Sequence, residues 1–561
     1  MKTVTQVALV AVALVLLVGQ ELTCVGPTIV YHPEGFDPLE LARTKTEIVN
    51  AEAVIPSQCY TKTDGISNPC YTCHTSLNAR NEMDDDDLQR EYAFSDFGLV
   101  NHWTNLFEDR SQAIAAITDD EALEYVRQDN YTALRNDLRS RDDYVGWVPE
   151  IPQLASGGTR AFDAEGFARD GSWWRAFRYK PFLGTFWPTN GSTDDVIIRL
   201  APKFYQDEDG KESREIYKIN LAIVEAALST PNNRPLDALN RKVEPISENL
   251  AGVDLDGDGE LSDSVTRINV LPATYVGGAS NVNVQRFLYP QGTEFLHTVR
   301  YVDPDEPSLL SARMKEVRYS RRERPMSLDK LRRVYGAEDE HKEQGNLPVF
   351  AGTGEAGLIN DFGWRLQGFI EDAEGHLRSQ TREETLFCMG CHSTIGVTAD
   401  QTFAFPRKVP GSEGWGHQTL DGIQDVPQAG RDTPEILEYL TRVRGADEFR
   451  ANDEALERFF FDGEVKEDEV RRAAPGGPLD IRYLVVPSRE RAIALNKAYM
   501  ALVEAQAFER GRDPVGEPAT QVFEQIDGNG TTALGEAGLL FDDGRIWLEW
   551  DADGGSRVTA R

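Results

Sequence analysis

The chain has 561 residues, and 93 acidic side chains against 59 basic ones give a formal net charge of −34. That length allows about three or four domains and a sizeable core. That charge excludes nucleic acid and anionic lipid surfaces as partners, because faces that bind phosphate are basic. Residues 1–26 read as an export signal, with Lys2 ahead of the apolar run VALVAVALVLLVG that ends at Gly19. The run is shorter than the roughly twenty residues a spanning helix needs, and no second run of that length follows, so no stable membrane span is expected. Cleavage is placed between Gly19 and Gly26, and Glu21 and Thr23 argue against lipid on Cys24. The expected location is periplasmic or extracellular. There Cys24 and Cys59 could form a disulfide if Cys24 survives cleavage.

From residue 27 to residue 150 turn formers give way to helical spacing. Asp64-Gly65 and Asn68-Pro69 lead into Cys70-Tyr71-Thr72-Cys73-His74, so a loop delivers these cysteines, and Thr118 to Glu121 reads as a capping box. Residues 151–345 read as a mixed middle region. Gly157 to Gly191 is too rich in aromatic residues for a solvent-facing loop. Strands are expected at Val196 to Leu200 and at Phe295 to Val302, with a helix at Glu215 to Leu228. The basic stretch Arg313 to Arg333, which includes Arg318, reads as a charged surface helix, as a set of partners for haem propionates or as a dock for an acidic partner. Residues 346–445 carry Cys388-Met389-Gly390-Cys391-His392 on a short helix opened by the capping box Thr381 to Glu384. Residues 446–561 read as helical, with the longest helix at Arg489 to Ala507. The fold class expected is mainly α with much irregular structure and a smaller β-containing middle region.

The two pentapeptides carry the chemistry. Two cysteines separated by two residues can each add across one vinyl group of a haem, and the following histidine can sit beneath the iron. Zinc would want further ligands nearby, and a redox dithiol would want a βαβ setting. Cys70, Cys73 and His74, with Cys388, Cys391 and His392, are therefore read as covalent sites for two haem c groups, the histidines being proximal ligands. Here the chain resembles the bacterial exported dihaem c-type cytochromes, with a weaker likeness to dihaem cytochrome c peroxidases and rubber oxygenases. The resemblance implies cytochrome c-like haem segments. For the sixth ligand the candidates are His297, which strand alternation places beside Phe295, Val299 and Tyr301, then His102 beside Trp103, and His417 in GWGHQ.

A second site is expected at Asp254, Asp256, Asp258, Glu260 and Ser262, where oxygen ligands alternate and Gly259 supplies the sharp turn of a calcium loop. Val265 stands where such loops place a bidentate glutamate, so Asp263 or a distant carboxylate would have to substitute. An acidic turn without an ion is the alternative. Asp527 to Gly530 with Glu536 is a weaker echo.

The function expected from these motifs is electron transfer between extracytoplasmic redox partners. One alternative is an oxidoreductase of the peroxidase or oxygenase kind with one open haem. Another is a calcium-bearing docking scaffold with accessory haems. No residue set identifies a catalytic group or a substrate.

Overall fold

The computed structural model describes residues 36–75, 84–229, 239–344, 346, 348–393, 395–445, 449–527, 530–542 and 546–550. The export signal, Cys24 and the core of the 527–530 echo lie outside the described residues. Ten strands organise the middle of the chain: β1 (Arg175–Phe177), β2 (Thr193–Arg199), β3 (Arg241–Ile246), β4 (Val265–Ile268), β5 (Glu294–Val302), β6 (Leu310–Arg322), β7 (Ala351–Thr353), β8 (Gly357–Ile359), β9 (Trp364–Glu371) and β10 (Leu377–Ser379). β3 and β4 form a separate antiparallel hairpin. The other eight make one antiparallel sheet in the order β1-β2-β5-β6-β9-β8-β7, with β10 paired to β9.

Register gives the sheet its two faces. Val196, His297, Arg318 and Gly368 stand opposite one another across β2, β5, β6 and β9, and Asp194, Val299 and Glu316 form the adjacent row. Side chains alternate between faces, so these rows share one side while Ile197, Leu296, Val317 and Phe369 project from the other. That second side packs on Tyr131, Leu134 and Leu138 of the helix Tyr131–Ser140, together with Ile151 and Trp174. Each large apolar side chain buried there contributes about 1.5–3 kcal/mol. On the first side the sheet is covered by the aromatic segment at 182–187, by the two cysteine motifs and by residues 403–405.

This architecture corrects the expected fold class. A large antiparallel sheet lies at the centre of the molecule, so the chain is mixed α and β and not mainly α, and nothing in its topology is specific to cytochrome c. The expectation failed chiefly over β6. Its sequence LSARMKEVRYSRR carries too many charges to read as a buried strand, yet Arg313, Lys315, Glu316 and Arg322 are all buried. Three of those charges are paired, since Arg313 Nε donates to Glu371 at 2.5 Å, Arg322 Nη1 to Asp400 at 2.6 Å and Arg512 Nη1 to Glu316 at 3.0 Å, while Lys315 is held by neutral oxygens of Gly191 and Ser192. The expected surface helix over Arg313 to Arg333 is thus the longest strand of the sheet followed by the helix Leu328–Glu343.

Other elements lie close to their expected positions. The helices Arg214–Leu228, Glu435–Val443 and Arg489–Ala505 form, and both capping boxes close, at Thr118 with Glu121 and at Thr381 with Glu384. The helix Arg489–Ala505 locks the end of β5, since Asn496 donates to the Val302 carbonyl at 2.7 Å and accepts from its N–H at 3.3 Å.

Candidate functional site

The second motif occupies the last turn of the helix Arg382–Cys391, whose first turn is fixed by the Thr381 cap. Gly390 is required there because a Cβ would run into the Val54 carbonyl. The first motif follows Pro69 as a short 3-10 turn, Cys70–Thr72, closed by the His74 N–H donating to the Cys70 carbonyl at 2.9 Å. The two segments are stitched together, for the Val397 N–H donates to the Cys73 carbonyl at 3.1 Å. Asp85 binds both sides, accepting from the Thr75 N–H at 2.8 Å and from the Gly396 N–H at 3.0 Å.

Both motifs open into one cavity, which contains about 1970 Å³ of space between protein atoms, part of it continuous with solvent. Cys59, Cys70, Cys73, His74, Cys388, Cys391 and His392 all contribute to its wall. The five cysteines among the described residues are unbridged. Burial pushes the Cys70 thiol up to about 12 and the Cys391 thiol up to about 11, so both carry their proton at neutral pH.

The two motif histidines are held alike. His74 Nδ1 lies 3.0 Å from Asp85 Oδ2, and His392 Nδ1 lies 2.7 Å from the Gln401 carbonyl oxygen. A carboxylate and a carbonyl oxygen can only accept, so each Nδ1 carries a hydrogen, and in the neutral ring that tautomer leaves Nε2 its lone pair. Neither Nε2 has a hydrogen-bond partner among the described residues. An imidazole oriented through one nitrogen and left open at the other is how proteins present a metal ligand. Burial lowers the His392 pKa to about 4, against the opposing pull of the Gln401 carbonyl, so the ring is neutral and ligand-competent. These observations fit haem c: free thiols and two imidazoles, each tethered through Nδ1, facing one cavity.

His297 projects from β5 into the same cavity, 5.3 Å from the Phe186 ring and 4.0 Å from Asp194. Burial, with the nearby Arg318 cation, lowers its pKa to about 3. The other two sixth-ligand candidates lie elsewhere. His102 stacks on Phe97 at 3.8 Å with its Nε2 against the Phe97 carbonyl, and His417 packs against Gly158. Neither lines the cavity.

The acidic loop lies between the helix Glu248–Ala251 and β4. Asp254 accepts from the Gly257 and Gly259 N–H groups at 2.6 and 2.9 Å. The distant carboxylate is Glu248, which is fully buried and accepts from the N–H groups of Leu255, Asp256 and Ser262 at 2.7, 3.0 and 3.0 Å. Glu248, Asp254 and Asp256 bring one oxygen each within 4.8 Å of one another. Asp258 instead caps the Glu260 N–H, and Asp263 accepts from Asn249. Glu260 and Ser262 are not part of the three-carboxylate group. Partial burial, then the neighbouring Glu248, Asp258 and Asp254, raise the Asp256 pKa.

Sequence reasoning missed Asp85, Gln401, Tyr499 and Glu248. No spacing rule ties Asp85 or Gln401 to a CxxCH motif. Glu248 carried one usable signal, since the missing twelfth ligand already called for a carboxylate from outside the loop.

Comparison with known proteins places the chain differently from its motifs. A family model described as "-like lipoprotein" matches residues 43–476. A protein of Aquifex aeolicus (strain VF5), described as an uncharacterized lipoprotein, is 33% identical over 551 residues, covering 87% of this chain and 91% of the relative. No solved structure matches. The expected membership among dihaem c-type cytochromes is thereby corrected, because that likeness rested on two pentapeptides whereas the lipoprotein match runs through most of the chain. The electron-carrier function, the peroxidase or oxygenase alternative and the docking-scaffold alternative fall with it, since neither family nor relative supports them.

Proposed function

This chain belongs to that lipoprotein family, and from that premise we propose that it is an exported, lipid-anchored protein whose cavity holds two covalently attached haem c groups. The observation that carries the reading is the convergence of both CxxCH segments on one cavity, each histidine tethered through Nδ1. When bound, the haem supplies an iron that accepts nitrogen ligands and vinyl groups that take up thiols. The chain's own residues do the rest. Cys70, Cys73, Cys388 and Cys391 add S–H across those vinyl groups, and His74 and His392 present Nε2. Asp85 and Gln401 hold the rings in place. His297 is the candidate for a further ligand from β5, and Phe182, Phe403 and Phe405 supply apolar wall.

Export is the property the family supports most directly. No described helix is long and apolar enough to cross a membrane. Lipid attachment at Cys24 provides the anchor, despite Glu21 and Thr23 beside it, and a thioether there leaves no thiol to pair with Cys59. The test of the haem reading is a haem stain on the denatured exported protein together with its intact mass. Two haem increments are expected, and a mass equal to lipid plus bare polypeptide would remove the reading. Phase partitioning in a cloud-point detergent tests the anchor: Cys24→Ser should move the protein to the aqueous phase.

The calcium reading is favoured by one observation, the buried Glu248 supplying the carboxylate the loop lacks. Calcium should raise the melting temperature of the wild type and not that of Glu248→Gln. An equal rise in both would leave an acidic turn without an ion.

A further inference from the structure

One wall of the cavity carries polar donors that the protein leaves unused. Arg318 donates through Nε to Glu316 at 2.9 Å, and its two terminal nitrogens have no acceptor among the described residues. Its guanidinium lies 4.7 Å from the Phe186 ring, inside the cavity. Tyr499 is 3% exposed and lines the same wall, and its hydroxyl has no hydrogen-bond partner. Lys315 is 1% exposed, held by the Gly191 carbonyl at 2.7 Å and Ser192 Oγ at 2.9 Å. Its ammonium sits 4.1 Å from the Tyr499 ring, with no carboxylate in ion-pair contact among the described residues. Arg512 completes the group and shares Glu316 with Arg318 at 3.0 Å.

Two arginines thus share one glutamate, and a lysine beside them has none. In a chain of net charge −34 this is a locally cationic, donor-rich patch. A half-buried guanidinium with both terminal nitrogens free fits a carboxylate in the bidentate manner, and a buried phenol without a partner among the described residues needs an acceptor.

We propose that Arg318, Tyr499 and Lys315 form a carboxylate-binding wall, which takes the propionate groups of one of the two haems held in the cavity. This rests on the haem reading above and deepens it.

The test uses the full-length chain in its haem-free form and two probes, mesoporphyrin IX and its dimethyl ester. Neither has vinyl groups or iron, so thioether formation and histidine ligation drop out and only the carboxylates differ. Tryptophan quenching should show the acid binding about tenfold or more tightly than the ester, the size expected of hydrogen bonds to a charged group. Arg318→Gln should abolish that preference, and Tyr499→Phe, which keeps the packing, should shrink it. Equal binding of acid and ester, or a preference unchanged in Arg318→Gln, Tyr499→Phe and Lys315→Met alike, would overturn the wall and leave the haem reading standing. Failure of the folded chain to bind either porphyrin would likewise overturn the wall, whereas the haem reading falls only on the stain and the intact mass.

Discussion

The two CxxCH segments share a pattern and differ in how they are built. Cys388 to His392 ends a ten-residue helix with a capping box at its start, and its histidine leans on a backbone carbonyl. Cys70 to His74 is a three-residue 3-10 turn with no side-chain cap, and its histidine leans on the Asp85 carboxylate. The second segment is therefore positioned by regular local structure and the first by tertiary contacts, from Val397 to the Cys73 carbonyl and from Asp85 to His74 and Thr75. An anionic partner also makes His74 the more electron-rich imidazole of the two, because a carboxylate raises ligand basicity more than a neutral carbonyl does. Equal sequence motifs in one cavity need not give equal ligands.

The coarsest way to break this comparison is to remove one pair of thiols at a time. Cys70→Ala with Cys73→Ala, and Cys388→Ala with Cys391→Ala, should each delete one haem increment from the intact mass and leave the other. Loss of both from either variant would mean that the segments load as a unit. Next in size is Asp85→Ala, which strips acceptors from His74 and from the Thr75 and Gly396 N–H groups. Denaturant unfolding should show a loss of about 3 kcal/mol, since a buried charged acceptor serving backbone donors is removed. The deficit should include weaker retention of the first segment's haem. No substitution acts on His392 in the same way, because its acceptor is main chain.

A finer contrast lies at the third position of each motif. Gly390→Ala should destabilise by about 2 kcal/mol through the contact with Val54. Thr72→Ala, which removes only the hydroxyl donating to the Pro69 carbonyl at 2.7 Å, should cost about 1 kcal/mol. Thermal melts that ranked them the other way would show that the first segment is the tighter. The smallest effect is expected of Thr381→Ala, about 1 kcal/mol from the lost cap. It should loosen amide protection in the helix Arg382–Cys391 and leave the first segment unchanged.

Much of the local structure is legible in the sequence and little of its assembly is. The capping boxes at Thr118 and Thr381 and the alternation that turns His297 to one face follow from short-range rules. The central sheet does not, because its longest strand is charged and is stabilised by partners far along the chain. Arg313 meets Glu371, Arg322 meets Asp400 and Glu316 meets Arg512. Such pairs have no periodicity to betray them. The same holds at the site, where the cysteines and histidines announce themselves but Asp85, Gln401 and Tyr499 act across distances no motif encodes. The pentapeptides pointed to the wrong family, since ten residues say nothing about the scaffold around them.

The cavity wall begins at Pro56 and is completed by Pro514. A polypeptide secreted with its amino end leading exposes Cys70 and Cys73 while Arg318, Tyr499 and Arg512 are still on the far side of the membrane. Any group joined to those first thiols is present as the strands come together, and they close around it. Maturation then becomes a question of timing, in which slowing translocation after residue 75 lengthens the interval for modification, and halting it before residue 510 leaves a modified chain with an open wall.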